Sequence, residues 1–172
     1  TMARVDAASV RRARQALVAA LGTEKVLDDP DLLPKYGEDY SFSGVFLPDL
    51  VVRADSAADV QTVFRVATEE KVPVTPRGLG SGKSGGALPL AGGIVLAMER
   101  MKRVKEISAP DMLAVAEPGI ITGDFMKAVE AEGLFYPPDP NSLNISSLGG
   151  NVACNAGGPR ALKYGVTRNY IL

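Results

Sequence analysis

The chain has 172 residues, of which 46% are hydrophobic and 23% charged, with a formal net charge of −1. That is enough for one domain with a real core, with no charge excess to suit nucleic acid or a membrane surface. The absence of histidine and the single cysteine, Cys154, exclude an internal disulfide, a histidine base, a catalytic triad and most zinc sites. Any chemistry must therefore come with a cofactor, and no catalytic residue or metal ligand is expected in this chain. No apolar run reaches the roughly 18 residues of a spanning helix, and the N-terminus lacks a signal-peptide core. A lone cysteine fits a reducing compartment, so a cytoplasmic location is expected. Thr1-Met2 reads as an extra residue ahead of a natural methionine.

Ser9 is placed to cap a helix through Leu21, with Val10, Ala13, Leu17 and Leu21 on one face and Gly22 as its stop. Arg11, Arg12 and Arg14 form its solvated side. Residues 23–48 read as irregular, with one short helix near Asp31–Tyr36. Leu50–Arg53 is a short strand. Ser56-Ala-Ala-Asp59 has capping-box spacing and opens a helix to about Lys71, with Val60, Val63, Phe64 and Ala67 facing inward. Val72–Thr75 is a second strand, and the long crossover predicts a parallel pair with a right-handed connection.

That strand runs into Pro76-Arg-Gly-Leu-Gly-Ser-Gly-Lys-Ser-Gly-Gly-Ala-Leu-Pro-Leu-Ala-Gly-Gly93, which holds seven of the chain's 18 glycines. Such a cluster loses backbone entropy on folding. Its usual reason is a concavity of main-chain N–H groups for a phosphate; a flexible linker is the other reading. Gly80-Ser-Gly-Lys-Ser-Gly85 fits G-x-G-x-x-G, but Pro89, Gly92 and Gly93 prevent the helix that motif requires. The P-loop spacing fails as well, since it needs glycine where Arg77 stands. A cradle of loop amides without a helix behind it is what remains.

Ile94–Met98 is a buried-strand candidate. Val104–Ile107 and Met112–Ala116 form a hairpin about Ala109-Pro-Asp111, and Glu117-Pro-Gly119 breaks it. Thr122 is expected to cap a helix that buries Phe125 and Val129 and stops at Gly133. Pro137–Gly158 shows no periodicity and reads as one long functional loop, its paired glycines and asparagines supplying positive φ and inward amides. Asn169-Tyr-Ile-Leu172 resembles the start of another strand, cut short.

Several of these stretches, in order, resemble the FAD-binding half of the vanillyl-alcohol-oxidase type of flavoenzyme: Pro76–Gly86, Glu117-Pro-Gly119, Tyr136-Pro-Pro-Asp-Pro140, Leu148-Gly-Gly-Asn-Val-Ala153 and Asn155–Gly165. Within it, the resemblance is greatest to the glycolate oxidase D subunit and to D-lactate and D-2-hydroxyglutarate dehydrogenases. The resemblance runs from about Leu50 to Leu172 and implies an α+β, PCMH-type FAD-binding fold: a small parallel βαβ-containing subdomain, then the beginning of a second. It divides the chain into an N-terminal helical segment, 1–49, and a truncated FAD-binding domain, 50–172, with the substrate-binding cap absent.

By the same resemblance, the FAD diphosphate falls to Pro76, Arg77, Gly78, Leu79, Gly80, Ser81, Gly82, Ser84 and Gly85. Pro138, Asp139, Ser142, Leu148, Gly149, Gly150, Asn151, Ala153, Cys154, Asn155, Gly157, Gly158 and Gly165 line the ribityl and ring part, both segments meeting one flavin. Leu79 stands where the family often has glycine, so it needs a negative φ or accepts strain; Lys83 either neutralises a phosphate or faces solvent. Cys154 is either a covalent flavin anchor or a buried small hydrophobe. The implied parent enzyme moves hydride from the Cα of a 2-hydroxy acid to flavin N5 and passes electrons to an acceptor or partner subunits, which could hold it at the inner membrane. The fragment alone is expected to be inactive. An alcohol or sugar-lactone oxidase or an enolpyruvyl reductase of the same fold, a non-catalytic phosphate-binding module and a degenerate P-loop ATPase are the competing readings.

Overall fold

The computed structural model describes residues 3–172, so Thr1 and Met2 lie outside the described residues. The chain divides into two compact units, Thr1–Arg100 and Met101–Leu172.

In the first unit, α1 spans Ala7–Leu21 and buries Ala13 and Leu17. Asp6, not Ser9, is its cap: the Asp6 carboxylate accepts from the Ser9 amide, and Gly22 ends the helix at φ 89. Ser9 lies inside the first turn because an acceptor three residues upstream suits its free N–H. A two-residue strand, β1 (Val26–Leu27), and α2 (Leu33–Tyr36) occupy the stretch read as mostly irregular. Strand β2 (Leu50–Arg53) precedes α3 (Ala57–Glu70), which is capped by Ser56 on the Asp59 amide and closed by Lys71 in a left-handed conformation. The buried face of α3 is Val63, Val66 and Ala67, while Phe64 is 45% exposed. The inward stripe is thus rotated from the expected one, and Val66 takes the place given to Phe64.

Strands β3 (Val74–Arg77) and β4 (Ile94–Ala97) complete a sheet of order β1-β2-β4-β3. β4 pairs in parallel with both β2 and β3, and β1 runs antiparallel to β2. The expected βαβ relation is therefore correct in direction, but β2 and β3 are not neighbours, because β4 lies between them. All four β4 residues are buried, as continuous apolar runs in parallel strands require. Tyr36, Val51, Val95 and Ala97 form a core cluster on which Leu27 and Leu33 pack.

In the second unit, β5 (Val104–Ser108) and β6 (Leu113–Ala116) form the expected antiparallel hairpin, with a register shift between Val104 and Glu106. Helix α4 spans Thr122–Ala131; with the hairpin and residues 134–136 it encloses Ile120, Phe125 and Val129. The segment read as one long loop contains α5 (Leu148–Cys154), capped by Ser147 on the Gly150 amide. A short α6 (Ala161–Tyr164) and a 3-10 turn over Thr167–Tyr170 follow, so Asn169 and Tyr170 do not begin a strand.

Candidate functional site

The glycine loop leaves the carboxyl end of β3 and returns as β4, with no helix between them. The backbone amides of residues 78–87 donate no hydrogen bond to any acceptor among the described residues, and neither do the Ser81 and Ser84 hydroxyls. Loop amides held by a packed strand at each end, and left without acceptors, form a ready anion cradle. Gly80 (φ 73) and Gly85 (φ 76) need the left-handed region; Leu79 does not, so its departure from glycine carries no strain. Pro76 and Arg77 are the last residues of β3, and Lys83 faces solvent.

Arg77 is buried, donating to the carbonyls of Glu38 (2.7 Å) and Lys35 (3.2 Å). Burial draws its pKa down, opposed by Asp39, Tyr36, Glu99 and Glu38. A Cβ on Gly80 would land on the Arg77 guanidinium, so glycine there serves close approach as well as φ. A cavity of about 410 Å³ opens beside the loop, lined by residues of the 38–45 stretch together with Arg77, Leu79 and Gly80. Sequence reasoning gave residues 38–45 no role; their polar-aromatic makeup shows no periodicity to find them by.

In the second unit, the quoted motifs pack on one another. Pro118, from Glu117-Pro-Gly119, accepts from the Gly149 amide at 2.8 Å, and Ile120 accepts from the Leu148 amide at 2.9 Å. A Cβ on Gly149 would meet the Cβ of Pro118 at 2.6 Å, and one on Gly158 would strike the Asp139 carbonyl. Gly149, Gly150, Gly157 and Gly158 all have negative φ; of the expected positive-φ positions in 137–158, only Asn155 (φ 49) has it. These glycines exist for close contact.

The expectation of bare amides at Leu148–Asn151 is corrected too. All four donate locally: to Ile120, Pro118, the Ser147 hydroxyl and the Ser147 carbonyl. Amides without acceptors lie instead at Asp139, Asn141, Ser142, Gly157 and Gly158. Ala153 and Cys154 are exposed on α5, which overturns the buried-hydrophobe reading of Cys154. Gly165 (φ 85) closes α6.

Thr122 does not cap α4. Fully buried, its hydroxyl bonds the Ser146 carbonyl (3.1 Å) and hydroxyl (3.0 Å) and accepts from Asn151 Nδ2 at 2.6 Å. This network fixes α5 against the start of α4. Glu117 takes hydrogen bonds from the Arg103 guanidinium (2.7 and 3.1 Å) and amide (3.0 Å), which hold its carboxyl at about 2. The Tyr136 hydroxyl is buried without a hydrogen-bond partner among the described residues, and burial raises its pKa.

A family model described as an FAD binding domain matches residues 48–172. The chain belongs to this FAD-binding domain family. FAD is accordingly its cofactor. Glycolate oxidase subunit GlcD of Bacillus subtilis (strain 168) is 38% identical over 159 residues, covering 92% of this chain and 34% of the relative. D-lactate dehydrogenase of Anaerostipes hadrus is 36% identical over 134 residues, covering 78% and 28%. Among solved structures, 4-ethylphenol oxidase from Gulosibacter chungangensis matches this FAD-binding chain with a TM-score of 0.77 at 28% identity, covering 90% of it and 30% of that chain. p-Cresol methylhydroxylase matches with a TM-score of 0.75 at 25% identity, covering 88% and 30%. The fold is the α+β, PCMH-type one. The chain spans about a third of the length of the curated relatives it matches, and no helix among its described residues is long and apolar enough to cross a membrane.

Proposed function

We propose that this chain is the FAD-binding portion of a flavin-dependent 2-hydroxy-acid dehydrogenase. The observation that carries the reading is the run of acceptor-free amides over residues 78–87 at the end of a parallel edge strand. The similarity to a glycolate oxidase subunit and to D-lactate and D-2-hydroxyglutarate dehydrogenases supports the substrate class.

In this reading the amides of Gly78–Gly82, with the Ser81 and Ser84 hydroxyls, hold the FAD diphosphate. The free amides of Asp139, Ser142, Gly157 and Gly158, with the α5 surface about Leu148–Asn155, contact the ribityl and ring portion. Bound FAD supplies the two-electron acceptor for the hydrogen on the substrate Cα. The chain's own contribution is to bind and orient: fixed N–H dipoles favour negative charge without reorganising at the moment of reaction. The Thr122–Ser146–Asn151 network keeps the α5 surface in place while this happens. The substrate pocket and base lie in the rest of the parent enzyme, with partner subunits as electron acceptors at a cytoplasmic membrane face.

The test is flavin retention by the full-length protein. Wild type should carry an absorbance band at about 450 nm and reduce it with 2-hydroxy acids in preference to aldonolactones or simple alcohols. Gly80→Val should lose the band, because valine at φ 73 is strained and its Cβ would displace the Arg77 guanidinium from beside the loop. A Gly80→Val protein that keeps its flavin would refute the loop's role, and reduction only by lactones or alcohols would move the enzyme to another branch of the fold.

A further inference from the structure

The glycine loop is tied at both ends to residues that precede β2. At its outgoing end, the Arg77 guanidinium donates to the carbonyls of Lys35 and Glu38. At its returning end, the Gly93 amide donates to Asp49 Oδ2 at 2.7 Å, and the Gly93 carbonyl accepts from the Asp49 and Leu50 amides at 2.9 and 3.1 Å. The other oxygen of that carboxylate accepts from Arg4 at 2.9 Å, and the same Arg4 nitrogen donates to the Leu47 carbonyl at 3.3 Å. One residue on, the Val5 amide donates to the Ala91 carbonyl at 3.0 Å. Gly92 gives the carboxylate room, since a Cβ there would stand 2.5 Å from Asp49 Oδ2.

The link from Arg4 through Asp49 to Gly93 thus joins three segments that are distant in sequence, and Arg4 and Val5 lie outside residues 48–172, which the family model matches. Between the two ties, the amides of residues 78–87 have no acceptor among the described residues. A stretch with so few bonds of its own keeps a concave shape only if its ends are fixed, and a shape fixed in advance spares the ordering cost that binding otherwise carries. Arg12 provides a contrast. It pairs with Glu70 at 2.6 Å and is about as exposed as Arg4 (55% against 59%), yet its bonds go only to Glu70 and Ser9.

We propose that Arg4 is a positioning residue for the cofactor: it holds the Asp49 carboxylate on the Gly93 amide, and so keeps the returning end of the glycine loop in the shape that takes FAD. The inference rests on the reading of that loop given above and extends it to residues outside the matched region. Arg4 acts through Asp49 and Gly93, not by contact with the cofactor.

Titration of the deflavinated full-length protein with FAD, followed by flavin fluorescence, tests this. An exposed ion pair is worth up to a few-fold in an equilibrium constant, so Arg4→Gln should raise the FAD dissociation constant about threefold. Arg4→Lys keeps the charge and should recover most of the loss, and added salt should shrink the difference. Asp49→Asn weakens the same link from its other side, and the double variant should lose no more than the worse single change. Arg12→Gln removes an ion pair of the same kind from the same N-terminal segment and should bind FAD as wild type does, which separates positioning from a general loosening. Hydrogen exchange of the flavin-free protein gives a second readout: the Gly93 amide should exchange faster in Arg4→Gln than in wild type or Arg12→Gln. Equal FAD affinities for wild type and Arg4→Gln, equal losses in Arg4→Gln and Arg12→Gln, or an unchanged Gly93 exchange rate would overturn the positioning role and leave the FAD assignment standing. If Gly80→Val binds FAD as wild type does, the reading of the loop fails instead, and the positioning role with it.

Discussion

Gly149 and Gly150 sit side by side in α5, and alanine at each should have different consequences. Helix propensity alone predicts a gain of about 1 kcal/mol for either change. At Gly149, however, the new Cβ would lie 2.6 Å from Pro118 Cβ, 2.9 Å from its carbonyl oxygen and 3.1 Å from its Cα. Those atoms belong to a proline ring and to backbone, which cannot step aside as a flexible side chain would. Overpacking of this kind costs about 1–3 kcal/mol. Displacing the turn also lengthens the 2.8 Å Gly149–Pro118 hydrogen bond, worth about 1 kcal/mol. After the propensity gain, Gly149→Ala should be about 1–3 kcal/mol less stable than wild type. At Gly150 the only close neighbour is the Ser147 hydroxyl, 3.2 Å away. Since that hydroxyl caps the helix, a slight shift of the cap (about 1 kcal/mol at most) should cancel the propensity gain. Urea unfolding followed by circular dichroism and tyrosine fluorescence measures both. Equal stabilities, or a Gly149→Ala protein as stable as wild type, would refute the close-approach account of this glycine pair.

Thr122→Val removes the hydroxyl that Asn151 Nδ2 and Ser146 share while keeping the shape. It should cost about 1–3 kcal/mol in thermal or urea unfolding, with Thr122→Ser losing clearly less. Glu117 is held at about 2, below its ordinary 4.5, by the Arg103 side chain and then its amide. A carboxyl whose folded pKa is depressed stabilises fully above its unfolded pKa and loses that contribution as pH falls through the folded one. The stability gap between wild type and Glu117→Gln should therefore be constant near neutrality and close between pH 4.5 and about 2. A parallel acid profile for the two proteins would contradict the ion pair.

The parallel strands, the hairpin and α4 were legible because their signals are local: apolar runs at β2 and β4, a Pro-Asp turn after β5, a helical period through Phe125 and Val129. That the glycine stretch joins two strands without a helix was legible from its glycines and Pro89 alone. What failed depends on distant contacts. Nothing in Val72–Thr75 says that β4 will insert between β2 and β3. Thr122 carries the sequence of a cap, but a buried Asn151 and Ser146 compete for its hydroxyl and win. α5 was hidden by two adjacent glycines of poor helix propensity; the contact with Pro118 that requires small residues is visible only in three dimensions. Ser147 ahead of Leu148 was the one available signal for that helix. Phe64 failed for a smaller reason, a stripe chosen one residue out of phase with the face that Val66 occupies.

The crossover between β3 and β4 is the glycine loop itself, where parallel neighbours are ordinarily bridged by a helix. Its two ends are therefore pinned at opposite ends of two neighbouring strands by the pairing of Arg77 with Ala97 and Val74 with Ile94. Closing a longer span between fixed posts costs only about 0.6 kcal/mol per doubling of its length. Insertions there would be far cheaper than insertions in β4, whose every residue is sealed. Variation in the loop's reach is thus uncoupled from the sheet, and the chain can lengthen or shorten it without refolding its foundation.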